Sequence, residues 1–326
     1  MKKISNKNVL ITGASGFIGS NLIKKLLKKK QYNIFATIHK KNLRIKNKKI
    51  NYQKVDLKNI NHCLKVTKKI DYVFMCAANS SGAKIIQDNP LAHFSPNIIM
   101  NTNMLEASHK NNVKKFIFIS SSTVYPLTNY PVSEKDAKFI FFEKYYIVGW
   151  MKRFSEIMCT IYKDKIKNQM RTLVVRPGNL YGVYDKFNKE ESKVIPALIR
   201  RIIEKQNPME VWGDGKDLKD FLYIDDFIEA LIKVSFSNKD VDIINIASGR
   251  TVTVQSILSK ILKIEKFKPK IYFDSSKPTL IPRRSINISK LKRNFRWKQK
   301  TSLESGLKKT IQWYKSYYKF KSPEDI

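Results

Sequence analysis

Seven residues near the start, Gly13-Ala14-Ser15-Gly16-Phe17-Ile18-Gly19, constrain this chain more than any other feature. A short apolar run, Asn8 to Thr12 (NVLIT), precedes them, and a helical pattern from about Phe17 to Lys30 follows. A strand that turns through glycines into a helix makes an anion site. Gly13 permits the tight turn, Gly16 lets the backbone approach a pyrophosphate, and Gly19 allows close helix–strand packing. The helix N-terminus then presents unbonded N–H groups and a positive dipole end. Ser15, Phe17 and Ile18 complete the loop. The motif predicts a bound dinucleotide.

The rest of the chain repeats the rhythm. Apolar strand candidates stand at 33–38, 50–55, 71–77, 115–120 and 172–176, with helical patterns at 97–111 and 148–165. Apolar strands alternating with helices predict an α/β fold, a doubly wound parallel sheet covered on both faces. Beyond Pro177 the segments shorten, and turn signals appear at Gly213-Asp214-Gly215 and Ser276-Lys277-Pro278. A smaller α+β lobe is expected there, at the C-terminal end of the sheet where ligands of such folds sit. The expected division is 1–176 plus about 221–247 for dinucleotide binding, with about 177–220 and 248–326 forming the substrate lobe.

At the end of the second strand a carboxylate for a 2′-hydroxyl is expected. The sequence has Thr37 there, followed by His39, Lys40 and Lys41, with Arg44 close by. Cations at that place favour a 2′-phosphate, hence NADP over NAD. Asp56, after the third strand, is placed to meet the adenine ring. The net charge of +36 comes mostly from dispersed lysines, without an aromatic and arginine module for stacking bases, so no nucleic-acid partner is expected. Three widely spaced cysteines fit a reducing compartment. The apolar run after the basic start is too short for a signal peptide or a membrane span, which leads to the expectation of a cytoplasmic protein without membrane contact. The four histidines make no metal-ligand spacing with carboxylates.

These motifs together resemble the NAD-dependent epimerase/dehydratase family, extended short-chain dehydrogenases/reductases with a Rossmann-type sheet that act on sugar nucleotides. The likeness runs over nearly the whole chain. It includes Thr12 to Gly19, Val55-Asp56-Leu57, Cys76-Ala77-Ala78, Ser120 to Pro126, Arg176 to Gly182, Phe221 to Asp226, and Lys277-Pro278 with Arg283-Arg284. Asn179 to Arg201 and Thr301 to Tyr314 most resemble the GDP-L-fucose synthase branch, which favours a GDP-sugar. The resemblance implies a cofactor site built from the glycine loop, His39, Lys40, Asp56, Leu57, Cys76, Ala77, Ala78, Lys152 and Pro177. It also implies a hydroxyl, a tyrosine and a lysine around the nicotinamide, the tyrosine acting as acid/base on a sugar oxygen. Ser121 matches the hydroxyl, and Lys152 matches the lysine because Glu156 follows it by four.

The tyrosine position, four before Lys152, is Val148. Valine cannot exchange a proton, so Tyr145 or Tyr146 is expected to supply the phenol. Gly149 offers an alternative helix start. Ser121-Ser122-Thr123 replaces the Thr-Asp-Glu of 4,6-dehydratases, which makes that reaction unlikely on chemical grounds. Thr123 and Lys193 stand where the fucose synthase branch has an epimerising Cys and His. Simple 4-keto reduction, or C4 epimerisation, fits better than double epimerisation, in precursor synthesis for surface glycans. The alternative is a member that binds cofactor and sugar nucleotide without hydride transfer. On the substrate side the resemblance points to Asn179, Lys193, Val194, Arg201, Lys219 and Arg283 or Arg284, with Trp212 either stacking on the base or filling the core. Members of the family pair through two helices each, which here implies a homodimer.

Overall fold

The computed structural model describes residues 6–40, 42–79, 89, 91–277 and 281–318. Lys41 and Pro278 lie outside them. The strands are β1 (Lys7–Ile11), β2 (Tyr32–Ile38), β3 (Ile50–Lys54), β4 (Tyr72–Met75), β5 (Lys115–Ile119), β6 (Arg171–Pro177), β7 (Asn179–Tyr181), β8 (Met209–Trp212), β9 (Leu218–Tyr223), β10 (Ile243–Ile246), β11 (Thr251–Thr253), β12 (Ile271–Asp274) and β13 (Arg283–Arg284). The helices are α1 (Phe17–Leu26), α2 (Ile60–Thr67), α3 (Leu91–Lys110), α4 (Tyr146–Asp164), α5 (Val194–Ile203), α6 (Ile224–Ser235), α7 (Val254–Glu265), α8 (Ser289–Phe295) and α9 (Leu303–Tyr318).

Seven strands form one all-parallel sheet in the order β10-β6-β5-β4-β1-β2-β3. The side-chain period of two explains why these strands read as unbroken apolar runs. Along β5, Ile117 and Ile119 enter one core and Phe116 and Phe118 the other; along β1, Val9 and Ile11 part from Leu10 in the same way. The first core is closed by Leu22, Ile23 and Leu26 of α1 with Phe227, Ile228 and Leu231 of α6. The second is closed by Cys63 and Val66 of α2, Met104 and Leu105 of α3, and Cys159 of α4.

The chain adds β2 and β3 on one side of β1, then crosses back to add β4, β5 and β6 on the other. That reversal opens a crevice at the C-terminal ends of β1 and β4. Over the same end, β9 pairs with β7, β11 and β13, and β8 pairs with β12. Helices α5 and α7 pack against these small sheets and each other.

Some boundaries differ from the sequence reading. Helix α3 starts at Leu91 and runs through Pro96. Pro96 lies in the second turn, where it removes one hydrogen bond and crowds the carbonyl of the turn before it, and the helix continues past it to Lys110. Helix α1 stops at Leu26, and Lys28 to Lys30 are exposed. Gly149 does not begin α4, which starts at Tyr146 after a single 3-10 turn over Glu143–Tyr145. No helix among the described residues is long and apolar enough to cross a membrane.

Candidate active site

The glycine loop has the geometry an anion needs. Gly13 takes φ +65°, and a Cβ there would lie 2.7 Å from the Ala77 Cα. A Cβ on Gly19 would lie 2.3 Å from the Gly13 carbonyl oxygen. Gly16 precedes α1 with extended backbone, no side chain caps the helix, and its first turn holds no acid. The first-turn N–H groups are therefore left for a ligand. Thr12 Oγ1 accepts from the backbone N–H of Cys76 (3.1 Å) and Ala77 (3.0 Å), which ties the end of β4 to the loop. Ser15 is buried in the turn, and Ala78 is exposed beyond it. These residues fit a dinucleotide pyrophosphate.

At the ends of β2 and β3, the His39 ring lies 3.9 Å from the Asp56 carboxylate, and Lys58 lies 3.7 Å from it. The Lys58 backbone N–H is the main reason the Asp56 carboxyl sits below its ordinary range. Leu57 is buried beside it and Lys40 is exposed. Arg44 does not join Lys40. Its guanidinium donates to the Tyr184 carbonyl and lies 5.9 Å from the centre of that ring.

The reacting end gathers at the C-terminal edges of β4, β5 and β6. Lys152 Nζ donates to the Ile119 carbonyl at 2.9 Å and lies 4.9 Å from the Phe118 ring centre. Burial pushes its ammonium down to about 8, against the pull of Glu156; Cys76 and Lys193 also stand within its field. Burial pushes the Cys76 thiol up to about 12, and Lys152 opposes that rise. Ser121 Oγ accepts from the Thr123 backbone N–H at 3.1 Å. Thr123 Oγ1 is buried without a hydrogen-bond partner. Pro177 is buried at the end of β6.

The structure separates the two candidate tyrosines. Tyr146 is 53% exposed, its ring edge-on to Phe141 at 6.0 Å. Tyr145 lies outside the helix at its N-cap, with φ −121°. Burial raises its phenol, and the Arg284 guanidinium counters part of that rise. Val148 stays one turn ahead of Lys152, partly buried. Gly149 lies against Thr123: a Cβ there would be 2.8 Å from both the Thr123 carbonyl oxygen and the Phe141 ring.

Beneath Lys152 runs a buried polar network that the sequence reading did not find. Glu156 accepts from Arg176 Nε (2.8 Å) and Nη2 (2.6 Å), and from Ser120 Oγ (2.5 Å). Arg176 Nη1 also donates to the Tyr125 hydroxyl (3.0 Å), which donates to Asn245 (2.6 Å). The four-residue offset from Lys152 marked Glu156, but its partner Arg176 lies on β6.

On the lobe side, Lys193 immediately precedes α5 and Val194 begins it. Asn179 Nδ2 donates to the Asp220 carbonyl at 3.1 Å. Asp220 is itself buried, holding the Ser248 and Gly249 N–H groups at 2.8 Å each. Arg201 bonds the Glu210 carbonyl, and its Nη2 lies 3.4 Å from the Glu210 carboxylate, which also accepts from Trp212 Nε1 at 3.0 Å. Trp212 is thus at the surface of the lobe with its ring partly exposed. Lys219 is engaged by Asp217 (3.0 Å) and the Ile281 carbonyl (2.9 Å). Arg283 is exposed on the rim of a groove with Pro126, Tyr130 and Ile140, whereas Arg284 is internal and donates to the Pro126 and Tyr125 carbonyls.

A parallel sheet with a glycine phosphate loop at its switch point, and a lysine two strands away at the end of β5, defines a dinucleotide-binding enzyme of the short-chain dehydrogenase type. The chain belongs to the NAD dependent epimerase/dehydratase family, whose model matches residues 9–247. It is 29% identical to the GDP-L-fucose synthase of Escherichia coli (strain K12), covering 95% of this chain and 97% of that one. It is 31% identical to GDP-mannose 3,5-epimerase 1 of Oryza sativa subsp. indica, covering 94% and 81%. Its structure is similar to that of UDP-glucuronic acid 4-epimerase from Bacillus cereus, in complex with UDP-glucuronic acid and NAD. That match has a TM-score of 0.84 at 25% identity and covers 95% of this chain and 100% of that chain.

Proposed function

We propose that this protein is a cytoplasmic reductase or epimerase of a GDP-sugar, working through a 4-keto sugar with NADP as cofactor, in surface glycan precursor synthesis. The observation that carries the reading is the packing of α4, which holds Lys152, against the Ser122–Val124 turn, whose Thr123 hydroxyl is unpartnered. Two of the relatives named above, the GDP-L-fucose synthase and the GDP-mannose 3,5-epimerase, carry GDP-sugars in their names. Lys40 and the absence of a carboxylate after β2 favour the 2′-phosphate.

The cofactor, when bound, takes up or gives the hydride. The chain's own residues do the rest. Lys152 has three N–H donors and gives one to Ile119, which leaves two for the nicotinamide ribose hydroxyls. Ser121 and Thr123 donate to the sugar oxygen. Tyr145 moves the proton at that oxygen, and the Arg284 guanidinium beside it offsets part of the rise that burial imposes on the phenol. Arg201 and Lys219 are already paired, so Arg283 and Lys193 are the cations left for the diphosphate and sugar. The exposed apolar residues Leu91 and Ile99 of α3 and Trp150 and Ile161 of α4 support pairing of two copies through these helices.

Val148 favours a second reading, binding without hydride transfer. NADPH consumption with GDP-4-keto sugars separates them. Tyr145→Phe is expected to lose about a hundredfold or more in turnover, while Tyr146→Phe keeps it. Full turnover in Tyr145→Phe refutes the assignment. Turnover that appears only in Val148→Tyr establishes the second reading.

A further inference from the structure

Glu210 of the lobe is a carboxylate that the chemistry above does not use. Along β8, Met209 and Val211 are buried while Glu210 and Trp212 are partly exposed, the period-two pattern of a strand with one outer face. Glu210 sits on that face in a fixed frame. Trp212 Nε1 donates to its carboxylate at 3.0 Å, Arg201 Nη2 lies 3.4 Å away, and both contacts end on Oε2. Arg201 also bonds the carbonyl of the same residue and lies 5.9 Å from the Trp212 ring centre. On the neighbouring β12, Tyr272 is in register with Glu210 and is 58% exposed. A carboxylate is thus held beside two accessible aromatic rings, with its second oxygen, Oε1, left over.

Helix α5 relates this frame to the reacting end. Lys193, within the field of Lys152, precedes the helix, and Arg201 lies eight residues further on. Eight residues of helix rise about 12 Å. A sugar at Lys152 and Lys193 therefore has its nucleoside end, two phosphates and a ribose away, near Arg201 and Glu210.

We infer that Glu210 reads the base of the substrate and selects guanine, an inference that rests on the sugar-nucleotide reading above. The pairing edge of guanine presents two neighbouring donors, the ring N1–H and the exocyclic amine. A carboxylate answers them as an acceptor that cannot donate, with charge-assisted bonds. Uracil presents one N–H between two carbonyl oxygens, which a carboxylate repels. Adenine sets a single donor beside an acceptor and meets the same repulsion. Trp212 and Tyr272 supply rings on which any base can stack, so they add affinity without choice. The Trp212 and Arg201 contacts fix the carboxylate before the base arrives.

Calorimetric titration of the unmodified protein and of Glu210→Val and Glu210→Gln with GDP, IDP and UDP tests this. IDP differs from GDP only by the missing amine. The unmodified protein is expected to bind GDP about tenfold more tightly than IDP, and UDP more weakly than GDP by at least as much. In Glu210→Val the GDP-to-IDP gap is expected to close to about twofold, because the acceptor of the amine is gone, and Glu210→Gln, which keeps a neutral carbonyl acceptor, is expected to fall between. Equal affinity for GDP and IDP in the unmodified protein overturns the role of Glu210 and leaves the sugar-nucleotide reading standing. So does a gap that survives in both variants. Failure of all three diphosphates to bind the unmodified protein removes the sugar-nucleotide reading and this inference with it.

Discussion

Replacing Glu156 by glutamine removes one charge and no volume, and its cost follows from the geometry. The Glu156 and Arg176 side chains are 0% and 1% exposed, and two hydrogen bonds of 2.8 and 2.6 Å join them. Glutamine keeps one acceptor and turns an N–H₂ toward a guanidinium that is then buried without its counter-charge. Breaking one side of such a pair costs about 3–5 kcal/mol. With a urea slope on the order of 3 kcal/mol per molar for a chain of this size, the unfolding midpoint drops by about 1 M or more. Urea titration followed by tryptophan fluorescence measures it. A drop under about 1 kcal/mol refutes the reasoning, because it means that water or a rearranged network replaces Glu156. The paired substitution Glu156→Leu with Arg176→Met removes both charges and is expected to recover most of the loss. Glu156 also holds the Lys152 ammonium up against burial. In Glu156→Gln, Lys152 is therefore expected to titrate below its value of about 8.

Two further outcomes are expected. Gly19→Ala puts a Cβ 2.3 Å from a backbone carbonyl, so the phosphate loop must move by about 1 Å, and dinucleotide affinity should fall about a hundredfold with the far-ultraviolet circular dichroism unchanged; near-normal affinity would show that the loop relaxes at no cost. Because the folded-state value of Lys152 lies below the ordinary 10.5, its ammonium is lost as pH rises through about 8, and turnover should fall there. Lys152→Arg keeps its charge throughout and should flatten that limb, and a limb that persists in the variant assigns it to another group.

The parts of this fold that local chemistry dictates are legible in the sequence. Glycines that must approach backbone, and strands buried on both faces, announce themselves by residue type, and β1, α1, β5 and β6 lie within a few residues of where pattern places them. The parts that depend on distant partners are not. Tyr145 and Tyr146 are alike in sequence, and what separates them is a 3-10 turn and Arg284, far along the chain. Arg44 looks like a phosphate ligand until Tyr184, 140 residues away, takes its guanidinium. Glu210 carries no signal because its role comes from Arg201 on a helix and Tyr272 on a paired strand. Glu156 is legible by its offset from Lys152, but Arg176 reaches it only through the packing of α4 on β6.

The loss of tyrosine at Val148 bears on the proton and not on the site around it. Lys152 lies in an apolar setting that lowers it from 10.5 to about 8. Holding it charged at neutral pH costs folding free energy on the order of 3 kcal/mol. Glu156 and the Phe118 ring offset only part of the burial, and among the described residues the ammonium makes one hydrogen bond, to the Ile119 carbonyl, which leaves two donors for a ligand. Two ribose hydroxyls would meet those donors whether or not a hydride moves. The buried lysine is thus a reason to expect dinucleotide binding, independent of catalysis. What distinguishes an enzyme from a binding protein here is a phenol within reach of the sugar oxygen and a charge to hold its anion. Arg284 stands beside Tyr145 and offsets part of the rise that burial imposes on its phenol, so turnover of Tyr145→Phe with the sugar in place decides between the two.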